Sequence, residues 1–237
     1  MRAAAEWPGE GRRNVRRSAP TYAALAPLVA WLEAEAAAAA ERLPGGFRVL
    51  DVGCGVKPYL PLLADRASEY VGVDRDNPAA DLAASAEHLP VADGSFDLVL
   101  CTQVLEHVED PAQVVRELRR VVAPGGRVLA STHGVQVYHP APVDLWRWTH
   151  EGLERLFRQA DWSSLTVAPG SGTTACLGML VSIYLDLLAK NAHVRPLGRP
   201  LVAAINTAAE ALDRRFAALR EPRPGSLFAN YHVTAVE

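Results

Sequence analysis

Apolar residues in this chain come in blocks of two kinds. Short runs such as Phe47–Val52 and Phe96–Thr102 are apolar almost throughout, as expected of strands buried on both faces. Between them, apolar residues recur every three or four positions, the helical period. The pattern predicts a helix over Tyr22–Arg42, with a bend possible at Pro27 and a stop at Pro44-Gly45-Gly46, then a strand over 47–52. It continues with a helix over Tyr59–Ala67 and strands over Glu69–Asp74 and Phe96–Thr102. A helix over Ala112–Val122 and a strand over Gly126–Thr132 complete this half. Strands alternating with helices imply an α/β fold, a parallel sheet with helices on both faces.

After Val143 the rhythm loosens. A helix over Glu151–Ala160 and a strand over Leu165–Ala168 precede an apolar helix over Ala175–Ala189. At about 15 residues that helix falls short of the roughly 20 needed to cross a bilayer. On the next helix, Leu201–Leu219, the residues Leu201, Ile205, Ala208, Leu212, Phe216 and Leu219 form one stripe. Together 175–220 are expected to be a helical insertion before the closing strand Tyr231–Val236, serving as core and homodimer interface. A cap over an apolar substrate, or a peripheral contact with membrane lipid, is the sharper alternative.

Composition bounds the picture without redrawing it. With 237 residues, 49% hydrophobic and 22% charged, the expectation is a single globular domain over 18–237. A net charge of −3 argues against a nucleic-acid partner. Cys54, Cys101 and Cys176 form no C-x-x-C pair, which points to a reducing cytoplasm. Met1–Arg17, with five arginines and few apolar residues, reads as a disordered basic tail. An export signal is the weaker reading, because the apolar stretch that follows carries Glu33 and Glu35.

The richest passage is Val49-Leu-Asp-Val-Gly-Cys-Gly55. A strand running into Gly53-Cys54-Gly55 lets the backbone approach a ligand at the carboxyl edge of the sheet. Asp51 suits a ligand bearing an ammonium and a sulfonium better than a pyrophosphate, and the third glycine of the dinucleotide pattern is missing. The implied cofactor is S-adenosylmethionine, with S-adenosylhomocysteine as product. Asp74, with Arg75 beside it, ends the second strand where a carboxylate accepts hydrogen bonds from ribose hydroxyls.

These passages belong to a series. Val49–Gly55, Tyr70–Asp74, Ala86–Pro90, Gly94–Asp97, Val104–His107 and Leu118–Gly126 resemble the successive motifs of class I S-adenosylmethionine-dependent methyltransferases, across about residues 47–133. The resemblance implies the family's Rossmann-like, seven-stranded, mostly parallel sheet with an antiparallel last strand at Tyr231–Val236. It implies that Ala86 and Glu87 border the adenine and that Thr102 and Gln103 sit near the methionine end, with His107 supporting the cofactor loop. Ser85 stands where family members often carry the Asp that binds the adenine amino group. Gly55-Val56-Lys57-Pro58-Tyr59 resembles a bacterial subgroup found among polysaccharide and natural-product enzymes. Lys57 reads either as a partner of the cofactor carboxylate or as a solvated loop residue.

The acceptor should be met by the segment after the fifth strand. His133–Thr149 concentrates titratable and aromatic residues on one loop at the carboxyl edge. His139 is the candidate base, since imidazole titrates near neutrality. Asp144 would orient it or act itself, and His133 is the second choice. Arg147 could hold an anionic acceptor, with Tyr138 and Trp146 beside it. The same residues also fit a structural role, with Arg147 pairing Asp144 to pin the loop and the tryptophans packing it down. No metal is expected, because these spacings match no metal signature. The reading is methyl transfer to a hydroxyl of a small sugar-containing or natural-product acceptor. The alternatives are an N- or C-methyltransferase of a small metabolite, or a cofactor-binding protein of this fold without methyl transfer.

Overall fold

The computed structural model describes residues 7–140, 142–192 and 195–237. Seven strands form one sheet in the order β3-β2-β1-β4-β5-β7-β6. They are β1 (Phe47–Val52), β2 (Ala67–Asp74), β3 (Leu82–Ala83), β4 (Phe96–Thr102), β5 (Val122–His133), β6 (Ser164–Pro169) and β7 (Asn230–Val236). β1 to β5 pair in parallel, and β7 runs antiparallel to both β5 and β6. Chain direction across the sheet reverses between β1 and β4, and open α/β sheets bind ligands at that switch point.

Alternation within the strands builds two cores. Leu50, Val52, Val99, Cys101, Val128 and Ala130 face one side, packed with helices α4 (Pro111–Val121) and α5 (His150–Phe157). Val49, Leu98, Leu100 and Leu129 face the other, packed with α2 (Tyr22–Arg42), which continues through Pro27, and α3 (Leu60–Leu63). Burial on both faces explains why these strands read as unbroken apolar runs. Asp110 caps α4 by accepting the N–H of Gln113 at 2.9 Å, ahead of Pro111 in the first turn.

The elements depart from expectation in several places: the helix expected over Tyr59–Ala67 is the single turn α3, β2 already begins at Ala67, and β3 was not expected. The chain from 7 to 17 is folded, with a short helix α1 (Glu10–Arg13), and residues 1–6 of the expected tail lie outside the described residues. Arg13 is buried and donates to the carbonyls of Trp7, Pro8 and Pro58, so a residue read as tail charge is a clasp. The apolar helix spans Thr173–Asn191 (α6) and is long and apolar enough to cross a membrane, as is α2. One side of α6 is nevertheless packed into the domain through Ala175, Cys176 and Met179. Finally, α7 (Arg195–Arg215) buries Val202, Asn206, Ala209 and Asp213, so Leu201, Leu212 and Phe216 of the expected stripe are exposed while Ile205 packs toward Gly178 of α6.

Candidate active site

At the end of β1 the chain turns through Gly53 and Gly55, both left-handed with φ of 68° and 51°. A side chain at Gly53 would stand 2.3 Å from Cγ2 of Val104, whereas the space over Gly55 is open. The N–H groups of Gly53 and Cys54 donate to the Val73 carbonyl, which ties the loop to β2. Asp74 secures its far side, accepting from the N–H of Gly55 at 2.9 Å and from those of Asp76 and Asn77 at 3.0 Å each.

A cavity of about 750 Å³ opens beside this loop. Its lining includes Gly53, Gly55, Asp74, Arg75, Ala86 and Glu87, together with Thr102 and Gln103. Of the expected cofactor residues, these and His107 border it, while Asp51 and Cys54 do not. Asp51 is buried beneath the loop and accepts the Tyr70 hydroxyl proton at 2.6 Å, and burial pushes its carboxyl up to about 7. Asp51 therefore underpins the loop without reaching the cavity. The Cys54 thiol is pushed up to about 12, chiefly by burial, and is inert as a nucleophile. Lys57 pairs with Asp81 at 2.6 Å, an engagement that neither of its sequence readings anticipated. Glu87 is held by the Ser85 hydroxyl at 2.6 Å and by the N–H groups of Glu109 and Asp110 at 3.1 Å. Ser85 is thus turned to its neighbour.

Three imidazoles are gathered on the same cavity. The His107 ring lies 5.8 Å from His139 and 6.5 Å from His133, and His133 lies 6.1 Å from His139. All three border the cavity. Beneath them sits Glu106, fully buried, with one oxygen 3.3 Å from Nε2 of His133 and the other accepting from the Thr132 hydroxyl at 2.8 Å. Burial raises the Glu106 carboxyl to about 7 and lowers His133 to about 3, so that imidazole is neutral at physiological pH. His107 is also lowered by burial, and its Nδ1 meets the Val143 carbonyl. Sequence reasoning placed Glu106 in a motif but gave it no role; the available signal was an acid set between apolar Leu105 and His107.

The expected acceptor residues divide. His139 and His133 line the cavity, whereas Asp144, Arg147, Tyr138 and Trp146 do not. Arg147 grips Asp144 at 2.5 and 2.8 Å and donates to the carbonyls of Gln136, Val137 and Trp146. That pairing holds the Asp144 carboxyl well below its usual range. Asp144 accepts from the backbone N–H of His139 at 2.8 Å and not from its ring. The pair therefore staples the loop: Asp144, expected to orient the His139 ring or act as base itself, and Arg147, expected to clamp an anion, hold each other and the backbone instead. Trp146 donates to the Val108 carbonyl and stacks on Trp148, while Tyr138 is exposed. Among the described residues, no three His, Cys, Asp or Glu side chains are grouped to hold a metal ion.

Two walls were missed in the sequence. Arg12, Pro20, Thr21, Ala24 and Leu25 close the cavity from the N-terminal side, and Ile183 and Asp186 of α6 close it from the insertion. Trp7 fixes the first wall by donating to the Lys57 carbonyl at 2.9 Å.

Residues 50–130 match the family model described as a methyltransferase domain. An uncharacterized methyltransferase of Mycobacterium sp. (strain JLS) is 43% identical over 122 residues, 46% of this chain and 48% of that protein. The ubiquinone biosynthesis O-methyltransferase of Pseudomonas aeruginosa (strain LESB58) is 36% identical over 108 residues, 37% of this chain and 44% of that protein. The chain spans about half the length of the curated relatives it matches. A SAM-dependent methyltransferase from Archaeoglobus fulgidus shares the fold with a TM-score of 0.54 at 14% identity, covering 96% of this chain and 97% of its own. Sheet order, motif series and domain match together give the class I S-adenosylmethionine-dependent methyltransferase fold, with the matched domain at residues 50–130. Residues 50–130 are therefore similar to a methyltransferase domain, whose cofactor is S-adenosylmethionine. The residues present fit that group. The space over Gly55 is open, Asp74 and Glu87 line the cavity, and its volume suits a small-molecule site.

Proposed function

We propose that the protein transfers a methyl group to a hydroxyl of a small sugar-containing or natural-product acceptor, in a reducing cytoplasm. The observation that carries this reading is the gathering of His107, His133 and His139 on the wall of the same cavity that Asp74 and Glu87 line. S-adenosylmethionine, when bound, supplies an electrophilic methyl group next to a sulfonium. The chain's own task is to hold a nucleophile in line and remove its proton. Such positioning is worth on the order of 7–11 kcal/mol, and a positioned base adds roughly 10²–10⁴-fold. His139, at the exposed rim, takes the hydroxyl proton on an imidazole nitrogen. His133, neutral and braced by Glu106, orients the acceptor hydroxyl from the cavity floor. The name of the Pseudomonas relative supports an oxygen nucleophile.

The test is a panel of sugar nucleotides, glycosides, phenols and amines incubated with S-adenosylmethionine and scored by the gain of one methyl mass. Turnover of hydroxyl compounds is expected. Turnover confined to amines would replace the reading with N-methylation, and cofactor binding with silence across the panel would favour a binding protein of this fold.

A further inference from the structure

Of the described carboxylates that line the cavity, only Glu106 is fully buried. Its main-chain carbonyl accepts the N–H groups of Leu145 and Trp146 at 3.0 and 3.3 Å, so the loop after β5 holds it in place. One carboxyl oxygen, Oε2, accepts the Thr132 hydroxyl at 2.8 Å. The other, Oε1, has no hydrogen-bond donor among the described residues and faces Nε2 of His133 at 3.3 Å. Two lone pairs do not face each other in a buried site, so a proton belongs between these atoms. The separation is long for such a bond, as catalytic hydrogen bonds often are until the substrate tightens them.

The surroundings decide which atom carries that proton. Cys101 on β4 is kept a thiol by burial, and Asp144 and Arg147 are spent on each other. His107 meets the Val143 carbonyl through Nδ1, and the His139 ring lies 6.1 Å from that of His133. Among the described residues no lysine or arginine is left to balance a Glu106 carboxylate, and burial favours its neutral acid, raising the carboxyl to about 7. On His133, Nδ1 has no partner among the described residues, while the ring borders the cavity.

We propose that Glu106 is a positioning residue for methyl transfer, donating Oε1–H to Nε2 of His133 and so holding that imidazole in the tautomer whose Nδ1–H meets the oxygen of the methyl-accepting hydroxyl. This rests on the reading of the cavity as a methyl-transfer site. A hydroxyl offers one proton and two lone pairs. The proton goes to His139, one lone pair attacks the methyl carbon, and the other accepts from His133. The Glu106–His133 pair neither gains nor loses a proton in that step. Ionisation of Glu106 reverses the polarity: Nε2 then donates to the carboxylate, and a bare Nδ1 competes with His139 for the hydroxyl proton.

Nitrogen-15 NMR of the full chain reads the tautomer without any acceptor, so a silent acceptor panel would count against methyl transfer and not against this pairing. The ring signal missing from His133→Asn assigns His133. At about pH 6 the wild type should carry its imidazole proton on Nδ1, and at about pH 9 on Nε2. In Glu106→Gln an amide N–H replaces the carboxyl O–H, and Nδ1–H should persist at both pH values. With an acceptor in hand, wild-type kcat should fall about tenfold between about pH 7 and 9. Glu106→Ala should lower kcat about tenfold or more at about pH 7, and Glu106→Gln should restore it and flatten the fall. An Nε2–H tautomer in the wild type at about pH 6, or a Glu106→Gln variant as slow as Glu106→Ala, would overturn the proposal.

Discussion

Asp74 accepts three backbone N–H groups, and a carboxylate offers about four lone-pair directions. One is left for a ligand, which makes the residue both a brace for the Gly55 turn and a contact for a ribose. A hydrogen bond to a charged group is worth about 1.5–3 kcal/mol, so Asp74→Ala should weaken S-adenosylmethionine binding by about 10–100-fold. By contrast, His139→Ala should lower kcat by about 10²–10⁴-fold while cofactor affinity holds, measured with any acceptor the panel yields. Retention of full turnover would remove His139 as the base. Asp144→Asn should act differently, lowering thermal stability and raising KM through the loosened loop, because Asp144 touches the His139 backbone and Arg147 but not the cavity.

Among the elements, β1, β4 and the glycine turn were legible in the sequence because their signals are local: an apolar run for a strand covered on both faces, and Gly53 where φ is positive. The stripe on α7 was legible, but its direction was not. Periodicity shows that one face of a helix is apolar without saying what that face meets. The buried face of α7 holds Asn206, whose amide donates to the carbonyls of Arg17 and Ala19, and Asp213, which caps α6. Those partners lie some 40 to 190 residues away in sequence, beyond any local pattern. The N-terminal wall was hidden for the same reason, since Arg13 is buried by a carbonyl 45 residues distant. The cofactor half was therefore readable residue by residue, whereas the acceptor half needed tertiary contacts to separate His139 from the Asp144–Arg147 staple. Asp213→Ala should test how α7 anchors α6. It strands two buried N–H donors and should cost about 1–3 kcal/mol, seen as a Tm lower by several degrees.

For the molecule as a whole, the cavity is assembled from parts that contribute little alone: the sheet edge, the chain from Arg12 to Leu25, the loop after β5 and the inner side of α6. Four buried titratable groups leave an imprint on its stability. Asp51 and Glu106 are raised to about 7, and His133 and His232 are lowered to about 3 and 4, all mainly by burial. The raised carboxyls hold protons that the unfolded chain has released, so stability falls as pH rises through the acid range to 7. The lowered histidines are neutral where the unfolded chain is protonated, so stability rises with pH up to 6.5. Between about pH 4.5 and 6.5 the two pairs oppose each other and the profile should be nearly level. Glu106→Gln removes one falling contribution. Urea titrations of that variant should show stability rising with pH across the window, by up to about 1 kcal/mol per pH unit. A profile parallel to the wild type would mean that Glu106 is ionised throughout.

The central claim is that this cavity, lined by Asp74, Glu87 and the three histidines, holds S-adenosylmethionine. Calorimetric titration of the cofactor into the wild type and into Asp74→Ala tests it most directly. Saturable one-to-one binding, weakened about 10–100-fold in the variant, is the predicted result. No binding to the wild type, or equal affinity in the two proteins, would contradict it.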